Sequence, residues 1–372
     1  MQLRGRHLAL VAGSIAWLTA GATVRLDGAR RALRVLLAAA RVVTSHMSEV
    51  VAEMYAIAPT PSIVRRVHAK GDGGAALAPA EFERLVLSRK MPVVVEGWDL
   101  GVDQEQWEPA GLKAACGEKR VSVHVSSCAD LAWVPEKNFA FEFMPFSELV
   151  DRIWGAAPGE GKYLYLRSVG EKMRTRPADF AESFPDLART IHLPMPFAHE
   201  ALFSTALRVS SAGLTLWTHN DMMENLLVQV VGTKEVTLWP PSDAPNLYVE
   251  GSSSPCTPSS DLDQYPRLAA ANGRSMRAYL RPGDVLYIPP LWYHHVRSLE
   301  ASVSVNVFWR GLAPDAYARK DLYGNRDLPA GEKALELARS AGRAVREAQL
   351  PEPYASFYAE RVTAELERAL RL

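Results

Sequence analysis

The run of residues 214–232, LTLWTHNDMMENLLVQVVG, sets a His-Asn-Asp triplet inside what reads as one buried β-strand. An apolar strand tolerates a carboxylate only where it is paired or holds a metal. Residues i and i+2 of a strand share a face, so His219 and Asp221 are expected to converge while Asn220 turns away. A second histidine pair, His294-His295, follows the strand-like GDVLYIPP and sits in WYHHV. The two segments can pair within one barrel. Two histidines and one carboxylate on one side of a metal leave open positions, as in the facial triad of non-haem Fe(II) oxygenases. Zinc normally takes a closed tetrahedral set, or three ligands plus water.

Taken alone, a His-x-Asp or a Trp-x-His is more often a core or surface hydrogen-bonded pair. Four further polar residues inside apolar strands add weight: Tyr165, Asn225, Lys234 and Asn306. Buried amides need partners, and a bound polar ligand would supply them. By composition Lys234 reads as a solvated lysine beside a turn. In a barrel that holds a dicarboxylate it would be the fixed cation.

Around these residues the chain reads as mainly β. β-Branched or alternating runs fall at 91–98, 121–126, 163–169, 206–211, 225–231, 234–240 and 301–309. Gly232-Thr233 is expected to close a two-residue hairpin between residues 225–231 and 234–240. Residues 79–88 read as a short amphipathic helix. From Gly331 the apolar spacing turns helical, and it resumes after Pro351 and Pro353. The expected organisation is an N-terminal extension (1–48), a catalytic domain with flanking elements (49–310) and a C-terminal helical region (311–372).

Residues 1–48 hold seven Arg and one acid. Of the 42 basic and 42 acidic residues, 35 and 41 therefore remain in the body, which is slightly acidic. A general nucleic-acid binder is usually basic, so any RNA contact has to come from a local patch such as Lys172, Arg174 and Arg176. The Arg-rich, acid-poor start also fits a targeting peptide. The apolar stretch within it is short for a spanning helix, so no membrane anchor is expected. Three cysteines without a C-x-x-C pair form neither a disulfide framework nor a zinc pattern.

The segments His219-x-Asp221, Lys234, GDVLYIPPLWYHH and SVNVFW resemble the JmjC hydroxylases of the cupin superfamily. The resemblance covers roughly residues 78–372. It extends through KYLYLRSVGE, FSTALRVSSAGLTLWTHNDMMENLLVQVVGTK and KDLYGNRD to the branch that hydroxylates the wybutosine precursor beside the anticodon of phenylalanine tRNA. It implies a double-stranded β-helix (jelly roll) with flanking helices and a C-terminal helical hairpin. It implies Fe(II), 2-oxoglutarate and O2. His219, Asp221 and His294 would bind iron, with His294 chosen over His295 on the family pattern. Tyr165 and Lys234 would hold the distal carboxylate of 2-oxoglutarate, with Asn225 and Asn306 beside its other end. Arg167, Arg208, Trp217 and Trp292 would face the tRNA, with Tyr293 a further candidate, because loop bases are recognised by stacking on aromatic and guanidinium planes. The resemblance further implies a homodimer through the C-terminal helices, no DNA partner, and a cytoplasmic location, against the organelle targeting that the N-terminus permits. A JmjC hydroxylase acting on a protein side chain is the alternative, slightly favoured by the acidic body. A histone demethylase lacks any visible reader or zinc module, and a scaffold role does not account for the triad and Lys234.

Overall fold

The computed structural model describes residues 61–70, 79–155, 161–170 and 175–370, all within one compact unit, residues 58–372. The Arg-rich extension 1–48, and Lys172 and Arg174 of the basic loop, lie outside the described residues.

The strands are β1 (Ser62–Ile63), β2 (Arg65–His68), β3 (Val93–Glu96), β4 (Arg120–Ser126), β5 (Ala140–Pro145), β6 (Tyr163–Arg167) and β7 (Leu202–Ser210), followed by β8 (Thr215–His219), β9 (Glu224–Val231), β10 (Lys234–Trp239), β11 (Met276–Leu280), β12 (Val285–Ile288), β13 (Tyr293–Ser298) and β14 (Ser302–Trp309). They form a five-stranded sheet ordered β1-β11-β10-β13-β8 and a nine-stranded sheet ordered β2-β3-β12-β9-β14-β7-β6-β4-β5. From β8 onward the chain passes repeatedly between the two sheets. That is the double-stranded β-helix, mainly β with flanking helices.

Two sequence expectations change here. The run 214–232 is two strands, because β8 ends at His219 and β9 begins at Glu224 in the opposite sheet. Asp221 therefore lies past the strand end, in the crossing, and the i/i+2 argument does not position it. The hairpin expected at Gly232-Thr233 is also absent. β9 pairs with β12 and β14, while β10 pairs with β11 and β13. Gly232 takes a positive φ of 70°, and the turn swings the chain from one sheet to the other.

Alternation then decides what faces inward. On β14 Val303, Val305, Val307 and Trp309 join the large core under the helices. On β9 Leu226, Val228 and Val230 do the same. The opposite face of these strands carries Asn225, Ser304 and Asn306, which line a chamber between the sheets. Helices α1 (Pro109–Cys116) and α2 (Phe146–Gly155) cover the outer face with Leu112, Phe146, Leu149 and Val150. The expected helix at 79–88 is one α-turn, Pro79–Phe82, continued as a π-turn, Glu83–Leu87. Helices α3 (Pro329–Glu347) and α4 (Tyr354–Leu370) follow the barrel and bury none of their side chains. No helix among the described residues is long and apolar enough to cross a membrane.

Candidate metal centre and its cavity

The neighbouring strands β8 and β13 bring the triad together. They are antiparallel, with His219 opposite His294 and a register irregularity between His294 and Val296. Such bulges re-aim side chains near sites. Asp221 follows in the crossing, where its carbonyl accepts the amide of Leu291 (2.8 Å) and so ties the crossing to the loop before β13. One donor atom from each of His219, Asp221 and His294 lies within 4.8 Å of the others. The ring centroids of the two histidines are 4.2 Å apart.

The protonation pattern suits a cation. His219 Nδ1 lies 2.8 Å from the Trp217 carbonyl, and His294 Nδ1 lies 3.0 Å from the Trp292 carbonyl. A carbonyl only accepts, so each Nδ1 carries the proton and each Nε2 keeps its lone pair. Burial pushes both imidazoles below the ordinary histidine range, His219 furthest, with His294 adding to its shift. Burial raises the Asp221 carboxyl, with the charges of His294 and Arg208 acting against it. The Asp221 Oδ2 is buried without a hydrogen-bond partner, and His294 Nε2 stands 3.7 Å away. A buried carboxylate oxygen and two neutral imidazole nitrogens that converge without satisfying one another fit a divalent ion.

His295 does not join them. Alternation along β13 sends His294, Val296 and Ser298 into the chamber, and His295 sits opposite Thr237 on β10. Burial lowers its imidazole to about 4.

Beyond the triad the chamber is lined by Tyr165, Arg208, Asn225, Lys234, Ser298, Ser304 and Asn306, with Leu214, Leu216, Leu227, Ile288 and Val296 as apolar walls. Lys234 is buried, 3% exposed. Its Nζ donates to Ser304 Oγ at 2.7 Å, and among the described residues no carboxylate pairs with it. Burial, and then the charge of Arg208, lower it to about 7. It is therefore not the solvated lysine that composition suggested. Arg208 reaches across the chamber, giving Nε to Asn306 Oδ1 (2.8 Å) and Nη1 to the Tyr165 hydroxyl. Asn306 Nδ2 continues to Asn225 Oδ1 at 2.9 Å. Tyr165, Asn225, Lys234 and Asn306 are thus gathered around one space whose described lining holds Lys234 and Arg208 and no carboxylate, which fits a dicarboxylate. Ser298 and Ser304 escaped the sequence reading. For Ser304 the signal was the alternation SVSVNV, which sets it on the same face as Asn306; Ser298 ends YHHVRS, two positions on from Val296 on the chamber face.

A larger cavity of about 380 Å³ opens on the outer side of the triad. Arg167, Arg208 and Trp217 line it with His219 and Asp221. So do Ser122, His124, Trp133, Phe141, Tyr323 and Arg326, which sequence reasoning had not singled out. Trp292 does not belong to it. Its indole packs among Val94, Leu227, Leu238 and Ile288, with Nε1 donating to the Lys90 carbonyl. An apolar side chain on that strand-end turn finds the inter-sheet core, so Trp292 supports His294 from its carbonyl instead of facing a substrate. Tyr293 packs likewise, with Trp239 and Leu247.

Comparison with known proteins follows the same outline. Residues 79–313 match the family described as Cupin-like domain. The chain is 40% identical over 298 residues to "tRNA wybutosine-synthesizing protein 5" of Gallus gallus, covering 78% of this chain and 92% of the relative. It is 38% identical over 294 residues to the Homo sapiens protein of the same name, covering 77% and 92%. The chain belongs to this cupin-like family. It is also 34% identical over 293 residues to "tRNA wybutosine-synthesizing protein 4" of Aspergillus oryzae, covering 77% of this chain but 27% of that longer protein.

Proposed function

We propose that this cupin-like chain is an Fe(II)- and 2-oxoglutarate-dependent dioxygenase that hydroxylates the side chain of the wybutosine precursor, the tricyclic guanine beside the anticodon of phenylalanine tRNA. The observation that carries the chemistry is the open His219–Asp221–His294 set beside a buried Lys234 that has no anionic partner. The substrate is supported by the relatives named for wybutosine synthesis, of which the chain covers 92%.

His219 and His294 would ligate iron through Nε2, with their rings held in that orientation by the carbonyls of Trp217 and Trp292. Asp221 would supply the carboxylate and offset part of the metal's charge. Iron with 2-oxoglutarate and dioxygen supplies the oxidative decarboxylation that drives hydroxylation of a C–H bond. Lys234, with Ser304 and Tyr165 near it, would take the distal carboxylate. Asn225 and Asn306 would face the other end. Arg208, bonded to Tyr165 and Asn306, would hold both side chains in place beside the cosubstrate. The leucine, isoleucine and valine walls exclude water from this space. The same reading includes a homodimer, for which the exposed Leu335, Leu337, Phe357, Tyr358 and Leu366 of α3 and α4 speak.

The test is a succinate-release assay on protein loaded with Fe(II) and 2-oxoglutarate, given phenylalanine tRNA that carries the precursor. Succinate release with a gain of one oxygen in the tRNA is expected. Cosubstrate binding without tRNA-dependent turnover would refute the tRNA substrate and leave the protein hydroxylase as the reading to test.

A further inference from the structure

We infer that Trp133 and Phe141 form the stacking wall that receives the flipped-out base at the mouth of the outer cavity. This rests on the proposed tRNA substrate and adds the residues that select it. Both side chains line the cavity that also holds His219 and Asp221. Both are open to solvent, 46% and 49% exposed. Neither is stranded on the surface, because each belongs to a continuous aromatic cluster. The Trp133 and Trp217 rings stack with centroids 5.6 Å apart and planes 26° apart. Trp217 stacks in turn on Phe139, at 5.6 Å and 10°. The Phe141 ring lies 4.7 Å from that of His124. One end of the stack is thus buried beside the metal ligands, and the other ends in two exposed aromatic surfaces.

The loop that carries Trp133 is braced. Asn138 accepts the amide of Ala132 (2.8 Å) and donates to the carbonyl of Asp130 (2.8 Å). A platform fixed in this way loses little freedom when a ligand covers it.

Charge narrows the occupant. Arg167, Arg208 and Arg326 line the same cavity, where Asp221 is the one carboxylate among the described lining residues. Lys137 Nζ adds a cation 5.0 Å from the Phe141 ring centre. A flat ring system tethered to phosphates meets both needs, since single-stranded bases stack on aromatic side chains and their phosphates seek cations. An aliphatic protein side chain would use neither the stacking surface nor the surplus of positive charge.

The measurement compares affinity for phenylalanine tRNA carrying the tricyclic precursor with affinity for the same tRNA bearing plain guanosine at that position. The wild-type protein should prefer the precursor. Trp133→Ala should cut that preference about tenfold, Trp133→Phe should keep most of it, and Phe141→Leu should weaken it to a lesser degree. Affinity for 2-oxoglutarate, measured on each variant, verifies that the barrel is folded. The non-aromatic Trp133→Leu and Phe141→Leu carry the comparison should the alanine variant fail that check. A wild-type preference that survives unchanged in folded Trp133→Ala or Trp133→Leu and in folded Phe141→Leu overturns the stacking wall and leaves the proposed activity standing. No preference in the wild-type protein overturns the wall and counts against the tRNA substrate itself. tRNA-dependent succinate release tells these two failures apart.

Discussion

Lys234 is a cation held inside the barrel, where its Nζ donates to the Ser304 hydroxyl and pairs with no carboxylate among the described residues. Burial lowers its ammonium to about 7, against an ordinary lysine value of 10.5. Between those two values the unfolded chain binds a proton that the folded one has released, so stability rises with pH across that window. Below about 7 the folded protein carries the full penalty of a buried, unpaired charge. A carboxylate in the chamber reverses the preference, because it favours the protonated lysine. Above pH 7, 2-oxoglutarate binding should therefore take up a proton, and affinity should fall by up to about tenfold per pH unit. Calorimetric titration in buffers of different ionisation enthalpy measures that uptake directly, and a proton count near zero at pH 8 would remove Lys234 from the cosubstrate site. Lys234→Met should raise the melting temperature of the ligand-free protein by about 2–4 °C for each kcal/mol of penalty removed. The same variant should lose the further rise that 2-oxoglutarate gives the wild type. The triad makes a parallel case. Asp221→Asn removes the one lining carboxylate and its unsatisfied Oδ2. Fe(II) affinity should drop by more than the roughly 10–100-fold that changes in outer-shell partners cause. Anaerobic metal titration checks this, and equal affinity in both proteins would return Asp221 to the role of an ordinary buried acid.

At the scale of elements, the turn at Gly232 positions two residues of the inner chamber, Asn225 and Lys234. It ends β9, which carries Asn225, and starts β10, which opens with Lys234. The amide of Leu299, from the turn between β13 and β14, donates to the Thr233 carbonyl at 2.9 Å, so two sheet-to-sheet crossings are stitched together here. A Cβ at Gly232 would lie 2.3 Å from the Ala301 carbonyl oxygen, on a backbone already at φ +70°. Gly232→Ala should destabilise the protein by about 1–3 kcal/mol and raise the 2-oxoglutarate requirement by displacing Lys234. Denaturant unfolding and a cosubstrate titration read the two effects, and a variant unchanged in both would mean the turn yields without moving its strands. This element also marks the limit of what was legible from sequence. The Gly-Thr pair announced a turn, but turn chemistry is local and does not say which sheet the next strand joins. The expected hairpin failed for that reason, and so did the single strand drawn through His219 and Asp221. The residues gathered at the triad and around the inner chamber were nevertheless legible, because a polar side chain amid β-branched neighbours stands out wherever its strand is placed. Trp133 and Phe141 were not, since an aromatic in a loop or at the start of a strand looks the same whether it packs in a core or lines a cavity. Trp292 failed the opposite way, an apparent surface aromatic that fills the core between the sheets.

At the scale of the whole molecule, the two C-terminal helices are out of proportion to what they cover. No residue of α3 or α4 is buried. Leu337 is 63% exposed, Tyr354 59%, Phe357 51% and Leu366 40%. The barrel is already closed by its own sheets and by α1 and α2, so these helices contribute almost nothing to its core. In proteins most helical stability comes from packing an amphipathic face against something. A second copy of the chain offers a matching face, because a two-fold interface is self-complementary. The protein should sediment at twice its 40.9 kDa chain mass at micromolar concentration. Its melting temperature should rise with protein concentration, as it does whenever association stabilises the folded form. Replacing Phe357 and Leu366 together by Glu places charges at the centre of that contact. The double variant should sediment at the mass of one chain, lose the concentration dependence, and retain wild-type affinity for Fe(II) and 2-oxoglutarate, since the triad and Lys234 lie wholly within the barrel. A wild-type protein that sediments as one chain at these concentrations would defeat the dimer and leave the apolar faces of α3 and α4 to another partner.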